Sequence, residues 1–288
     1  MTEALDRIAA ALERLAPPPV PDADLTAHPA YLWDGRALTA ARSFAALPLD
    51  TLTGIDQQKA ALVSNLGRLA AGHAAHDVLL WGARGTGKSA LAAAAAAATG
   101  VALVEVATHT LDSLPRLFAR MATSPRAFAV FIDDLGFSSP DEARTLRSLL
   151  EGGAEARPST VRLLVTSNRR HLVARDIAEQ SGGAINGLPA AGHSAGAGSW
   201  NEPRAINPRD VVDDALALAD RFGLSLGFHA IDQDTYVAIV AGYARAYGLA
   251  FDPQDAIGWA TRRGSRSGRV AWQYVVELAG RAGRTLPR

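Results

Sequence analysis

Residues 79–100 read LLWGARGTGKSALAAAAAAATG, a short apolar run, a glycine-rich segment ending in Lys88-Ser89, and seven consecutive alanines from Ala92 to Ala98. Within this stretch Gly82-Ala83-Arg84-Gly85-Thr86-Gly87-Lys88-Ser89 fits the spacing G-x-x-x-x-G-K-[ST]. Glycines at these places let successive backbone N–H groups turn inward and cradle phosphate oxygens. In that reading Gly82 to Ser89, with Ala90 behind them, surround a nucleotide. Lys88 reaches its β- and γ-phosphates, and the Ser89 hydroxyl binds Mg²⁺. A helix starting at Gly87 adds its positive end to the anion site. Arg84 sits in a slot of the loop that tolerates any residue.

The flanks decide that the match is not low-complexity filler. The apolar run before the loop reads as a strand, and the alanine-rich run after it reads as a helix. Alanine has the highest helix propensity, and its small side chain lets a helix lie close on a sheet. Gly100 then ends the helix.

The remaining composition bounds the function. At 288 residues with 48% hydrophobic and 20% charged, the chain is long enough for one large domain or two smaller ones. The formal net charge is zero, so there is no global pull toward nucleic acid or membrane. Absence of cysteine excludes disulfides and Cys-ligated zinc or iron–sulfur sites. The start MTEALDRIAAALERLA carries charges at helical intervals and is not a signal peptide. The run from Ser89 to Ala107 is mostly alanine, too weakly apolar to enter a bilayer. The expectation is a soluble, cytoplasmic protein without membrane contact.

Along the chain, Leu5, Ile8, Leu12 and Leu15 give an amphipathic helix over residues 2–16, closed by the stiff linker APPPVPDAD. Residues 52–72 read as a turn and a helix with Leu62, Leu66 and Leu69 in register. Strand-like runs come next at 77–82, 101–107, 127–133, 161–168 and 225–231, separated by helical stretches. Strands apolar on both faces and alternating with helices indicate a mainly parallel sheet covered on both sides. In SSPDEARTLRSLLEGG, Ser139 caps, Pro140 suits the first turn, Glu142 completes a capping box and Gly152 closes the helix. Residues 177–209 lose all periodicity and read as a long loop or insertion. After residue 232 two further helices are apparent, DQDTYVAIVAGYARAYGL and GRVAWQYVVELAGRAG, forming a small all-helical C-terminal domain.

A P-loop needs a carboxylate partner for magnesium at the end of a buried strand, and AFAVFIDDLGF supplies one. Asp133 would hold Mg²⁺ through water, and Asp134 would orient or deprotonate the attacking water. Strand ends also carry aspartates as turn or cap residues, and the upstream P-loop favours the functional reading. VRLLVTSN ends another apolar strand on Asn168. A polar amide there is placed either to hold a nucleophilic water or to close a strand-end turn.

Taken together, LLWGARGTGKS, FIDDLGF, TSNRRHL, DRFGLSL and RGSRSGRVA resemble a bacterial AAA+ ATPase family of unknown function, over about residues 30–288. The resemblance implies a P-loop three-layer α/β/α sandwich with a mainly parallel five-stranded sheet, and a small all-α C-terminal lid. The divisions are 1–24 for the N-terminal helix and linker, 25–231 for the ATPase core and 232–288 for the lid. It implies ATP and Mg²⁺ as cofactors, and it matches Asn168 to the sensor-1 position and Arg269 to sensor 2. Arg221 matches the arginine finger that reaches a neighbouring subunit's nucleotide, with Arg169 and Arg170 competing for that role. Leu52, Gly54 and Ile55 match the segment that packs on adenine. Many AAA+ members have Asp-Glu where this chain has Asp133-Asp134, which draws the base back by about 1.5 Å and puts the hydrolysis rate in question.

The C-terminal arginines Arg262, Arg263, Arg266, Arg269, Arg281, Arg284 and Arg288 face one acid, Glu277. Arg269 is read toward the nucleotide and most of the others as a solvated face. His73, His76 and His171 form no metal spacing, and Trp33, Trp200 and Trp272 form no stacking platform for single strands. The expected function is an ATP-driven remodeller that assembles as a homo-oligomer and acts on an unidentified protein or nucleic-acid client. A helicase-loader or transposition-helper-like ATPase is one alternative, and a nucleotide-gated switch with little turnover is the other.

Overall fold

The computed structural model describes residues 22–135, 140–151, 157–168 and 221–286, with Ala4, Leu5 and Arg7. Apart from those three residues, the expected N-terminal helix lies outside this set. So do the 177–209 segment, Ser139, Gly152, Arg169, Arg170, His171 and Trp200.

Among the described residues seven strands form one sheet rather than five. They are β1 (Ala30–Trp33), β2 (Leu38–Ala40), β3 (Val78–Gly82), β4 (Ala102–Val106), β5 (Phe128–Ile132), β6 (Val161–Ser167) and β7 (Leu224–Phe228), in the spatial order β2-β1-β4-β5-β6-β3-β7. The five expected strands are β3 to β7, all parallel. The correction lies at one edge. There β1 pairs parallel with β4, and β2 returns antiparallel along β1. The turn between them is built by Asp34, whose Oδ1 accepts the backbone N–H groups of Arg36 and Ala37 at 2.7 Å each. Those two bonds hold the Asp34 carboxyl below its usual pKa.

Alternation along the strands divides the core into two layers. Leu79, Val104, Phe128, Val130, Ile132, Leu163 and Val165 face one side, under α3 (Leu114–Met121) and α4 (Pro140–Glu151). Val78, Leu80, Leu103, Ala129, Phe131 and Leu164 face the other, under α1 (Asp56–Ala70) and α2 (Lys88–Thr99). Strands buried on both faces give the largely apolar runs seen in the sequence. The alanines do what their size suggests, since Ala92, Ala94, Ala95 and Ala96 are all buried where α2 lies on the sheet.

The C-terminal segment folds into three helices rather than two: α5 (Gln233–Ala246), α6 (Pro253–Arg262) and α7 (Gly268–Arg281). Each begins on a polar cap, with Asp232, Asp252 and Ser267 accepting backbone N–H groups from Thr235, Gln254 and Val270. They enclose a third apolar cluster around Tyr236, Val240, Tyr274 and Val275.

At the end of the sheet remote from the P-loop, Asp77 ties β3 to its neighbour β6. Its carboxylate takes an Arg157 N–H at 2.5 Å and the Leu163 backbone N–H at 2.8 Å. The ion pair is only 16% and 10% exposed on its two side chains. Removing one partner strands a buried charge, so Asp77→Ala should cost about 3 kcal/mol of stability in urea unfolding. A loss below about 1 kcal/mol would place the clamp elsewhere.

Candidate functional site

Parallel strands end on one side, and the polar residues Lys88, Ser89, Asp133, Asp134 and Asn168 gather at their carboxyl ends. The loop Gly82–Gly87 leaves β3 there, and the order β5-β6-β3 sets β6 between it and the acidic strand end. Gly82 has φ +130°, and a Cβ on it would lie 2.0 Å from the Phe228 carbonyl oxygen of β7. Only glycine fits so close to the neighbouring backbone.

Ser89 and Asp133, 44 residues apart in sequence, meet: the serine hydroxyl donates to Asp133 Oδ1 at 2.7 Å. Thr166 of β6 stands beside them. Its hydroxyl donates to Asp133 Oδ1 at 2.6 Å and accepts the Asp134 N–H at 2.8 Å. The Leu135 N–H completes the turn by donating to the Thr166 carbonyl at 2.8 Å. Asp134 has φ +53°, a left-handed conformation that Asp tolerates better than most residues.

Lys88 is buried, and its ammonium donates to the carbonyls of Gly82 and Ala83 at 2.9 and 2.8 Å and to Asn168 Oδ1 at 2.9 Å. Burial lowers its pKa, against the opposing pull of Asp133 and Asp134. Asn168 also donates through Nδ2 to Asp134 Oδ1. The other Asp134 oxygen receives Arg84 Nη2 at 3.2 Å.

These groups line one cavity of about 440 Å³. Its polar end holds Arg84, Lys88, Ser89, Asp133, Asp134 and Asn168. Arg269 closes it from α7, and Leu52, Ile55, Ile231, Ile239, Tyr243 and Trp272 make its apolar wall. Trp272, an isolated aromatic in the sequence, is braced edge-on by Tyr243 with centroids 5.3 Å apart. It stands three residues after Arg269, on the same helical face. The helices touch the loop directly, the Gly268 N–H donating to the Gly85 carbonyl at 2.8 Å.

Of the sequence candidates, Leu52, Ile55, Arg84 to Ala90, Asp133, Asp134, Asn168 and Arg269 line this cavity. Gly54, Gly82 and Ala83 stand behind its wall, the last two through carbonyls that hold Lys88. Arg221 is elsewhere. It precedes β7 at the end of the sheet marked by Asp77, opposite the P-loop, and is exposed. The sequence reading missed Thr166, Tyr243 and Trp272.

The donor set suits a hard divalent cation: a hydroxyl and a carboxylate side by side, with room for phosphate and water oxygens. Among the described residues no three acidic, His or Cys side chains form a closed metal cage. Mg²⁺ rarely uses such a cage, since it keeps waters and phosphate ligands.

The fold and site geometry define the class: an AAA+ P-loop fold. The chain resembles the Thermotoga maritima RuvB Holliday junction branch migration motor with TM-score 0.51 and 14% identity, over 82% of this chain and 66% of that one. Two single-residue variants of the same motor match with TM-score 0.52 and 15% and 16% identity, each over 82% of this chain and over 67% and 66% of theirs. This chain therefore spans about two thirds of their length. It belongs to the family described as "Protein of unknown function (DUF815)", whose pattern matches residues 26–282. No curated protein matches it.

Because Thr166 links the P-loop side to the acidic turn, Thr166→Val should cost about 2 kcal/mol in urea unfolding by leaving the Asp134 N–H without its acceptor. Thr166→Ser should recover most of that loss. A loss in Thr166→Ser with none in Thr166→Val would show that the methyl group, and not the hydroxyl, matters.

Proposed function

We propose that this chain binds Mg-ATP in the 440 Å³ cavity and hydrolyses it to remodel a macromolecular partner. The observation that carries this reading is the meeting of Ser89 and Asp133 at 2.7 Å, beside a buried lysine and at the mouth of a glycine loop. The loop's N–H groups and the N-terminus of α2 would bind the phosphates. Lys88 would address the β- and γ-phosphates, while Leu52, Ile55, Tyr243 and Trp272 would enclose the base. Ser89 directly, and Asp133 through water, would hold Mg²⁺, which when bound neutralises phosphate charge.

Asp134 would take a proton from the attacking water, its carboxylate directed by the bond it accepts from the Asn168 amide. The water oxygen bonds to the terminal phosphorus as the bond to the bridging oxygen breaks. The electron pair leaves with ADP and the proton passes to Asp134. Arg269 would read the phosphates from the lid of the same chain. Arg221, remote from its own cavity, would serve a neighbour's in a homo-oligomer. We take 25–231 as the ATPase core, 232–288 as the lid, and 1–24 with 177–209 as candidates for the client. We infer a cytoplasmic setting from the sequence. No described helix is long and apolar enough to cross a membrane.

The low-turnover switch is favoured by one observation: both Asp134 oxygens are already engaged, by Arg84 and Asn168. The nucleic-acid reading gains little from the C-terminal arginines. Arg263 stacks on Trp259, Arg281 pairs with Glu277 and Asp255, and Arg284 bonds the Gly248 carbonyl.

Lys88→Ala should abolish ATP turnover, as phosphate release would report. Activity at the wild-type level would refute the assignment. Arg221→Ala should keep ATP affinity within about twofold and lower turnover at least tenfold. Mixed with the Lys88 variant it should regain part of that activity, and no regain at any mixing ratio would exclude a shared site.

A further inference from the structure

Arg84 stands in the third slot of the P-loop, where the phosphate cradle demands no particular side chain. Its guanidinium is nonetheless engaged, donating to Asp134 Oδ2 at 3.2 Å. The contacts continue from Asp134 to Asn168 and from Asn168 to Lys88. Arg84 is thus one end of a chain of groups whose other end is the lysine aimed at the terminal phosphates. All four line the same cavity.

Three magnitudes decide what this contact does. The pair is exposed, 74% on Arg84 and 50% on Asp134, so it is weak and breaks easily. A terminal phosphate beside Lys88 carries more charge than one carboxylate, and the planar guanidinium fork matches phosphate oxygens two at a time. The same phosphate repels Asp134, so its arrival weakens the existing pair while offering Arg84 a stronger partner.

We propose that Arg84 recognises the terminal phosphate within its own chain, holding Asp134 when no triphosphate is present and exchanging that carboxylate for the γ-phosphate when one binds. The exchange leaves Asp134 to the attacking water. Arg84 forms no covalent bond and moves no proton. It stabilises the charge spread over the γ-phosphate oxygens as the water adds and ADP departs. This inference rests on the nucleotide reading above and adds to it a basis for telling ATP from ADP.

The test is equilibrium titration of ADP and of a non-hydrolysable ATP analogue, each with Mg²⁺, into wild type, Arg84→Ala and Arg84→Lys. Arg84→Ala should weaken the triphosphate about tenfold and ADP less than twofold, as expected for loss of one charge-assisted contact made only to the third phosphate. Arg84→Lys keeps the charge without the fork and should fall between. Asp134→Asn should strengthen triphosphate binding more when Arg84 is present than in the Arg84→Ala background. Equal losses for both nucleotides, no loss for either, or strictly additive effects of the two substitutions would overturn the assignment. If wild type binds neither nucleotide, the nucleotide reading falls and this one with it. If wild type binds both and Arg84→Ala keeps the same preference, only the role of Arg84 falls.

Discussion

The site depends on strand order. With β6 interposed between β3 and β5, the P-loop and the acidic turn are held about 10 Å apart across two strand spacings, wide enough for phosphate and metal. Thr166 fills the gap at its base, donating to Asp133 and accepting from the Asp134 N–H. One buried hydroxyl therefore aims the carboxylate toward Ser89 and holds Asp134 in its left-handed turn. Had another strand intervened, the carboxylate and the loop would not meet. The chemistry at Ser89 and Asp133 is a consequence of topology before it is one of side chains.

A second constraint joins the C-terminal helices to the same loop. The Gly268 N–H donates to the Gly85 carbonyl, and a Cβ on Gly85 would come within 2.8 Å of the Ser267 Cβ. Glycine is required there twice over, for its φ of +75° and for the approach of α7. The loop that faces a phosphate on one side thus touches the helix carrying Arg269 and Trp272 on the other. Any ligand that reshapes the loop works directly against that contact. In this way a small change at the phosphate end can reach a packed helical unit with its own apolar cluster.

Much of this was legible in residues 77–133 and 161–168. Runs of apolar residues marked β3 to β6 within a residue or two, because strands buried on both faces are mostly apolar, with Glu105 in β4 and Arg162 in β6 as charged exceptions. The loop spacing and the paired aspartates then located Ser89 and Asp133. The edge hairpin β1–β2 was not seen, since strands of four and three residues hold too little pattern and exist through pairing with the distant β4. A local signal was nonetheless present: Asp34-Gly35 within the four residues between Trp33 and Leu38 is turn-forming chemistry, Asp for its backbone hydrogen bonds and Gly for positive φ. Helix α6 carried one as well, in the cap Asp252 with Pro253 next to it. Thr166, Tyr243 and Trp272 had none, because their roles arise only when β6, α5 and α7 are brought around one cavity. The contact of Arg84 with Asp134 is likewise visible only in three dimensions, across 50 residues of sequence.

The most direct measurement is the Mg²⁺ dependence of ATP-analogue binding, by calorimetric titration with and without the metal, in wild type and in Asp133→Ala. If the Ser89 hydroxyl and the Asp133 carboxylate share one ion under the phosphates, Mg²⁺ should tighten binding in wild type and do so at least about fivefold less in the variant. Identical tightening in both proteins would contradict the account at its base.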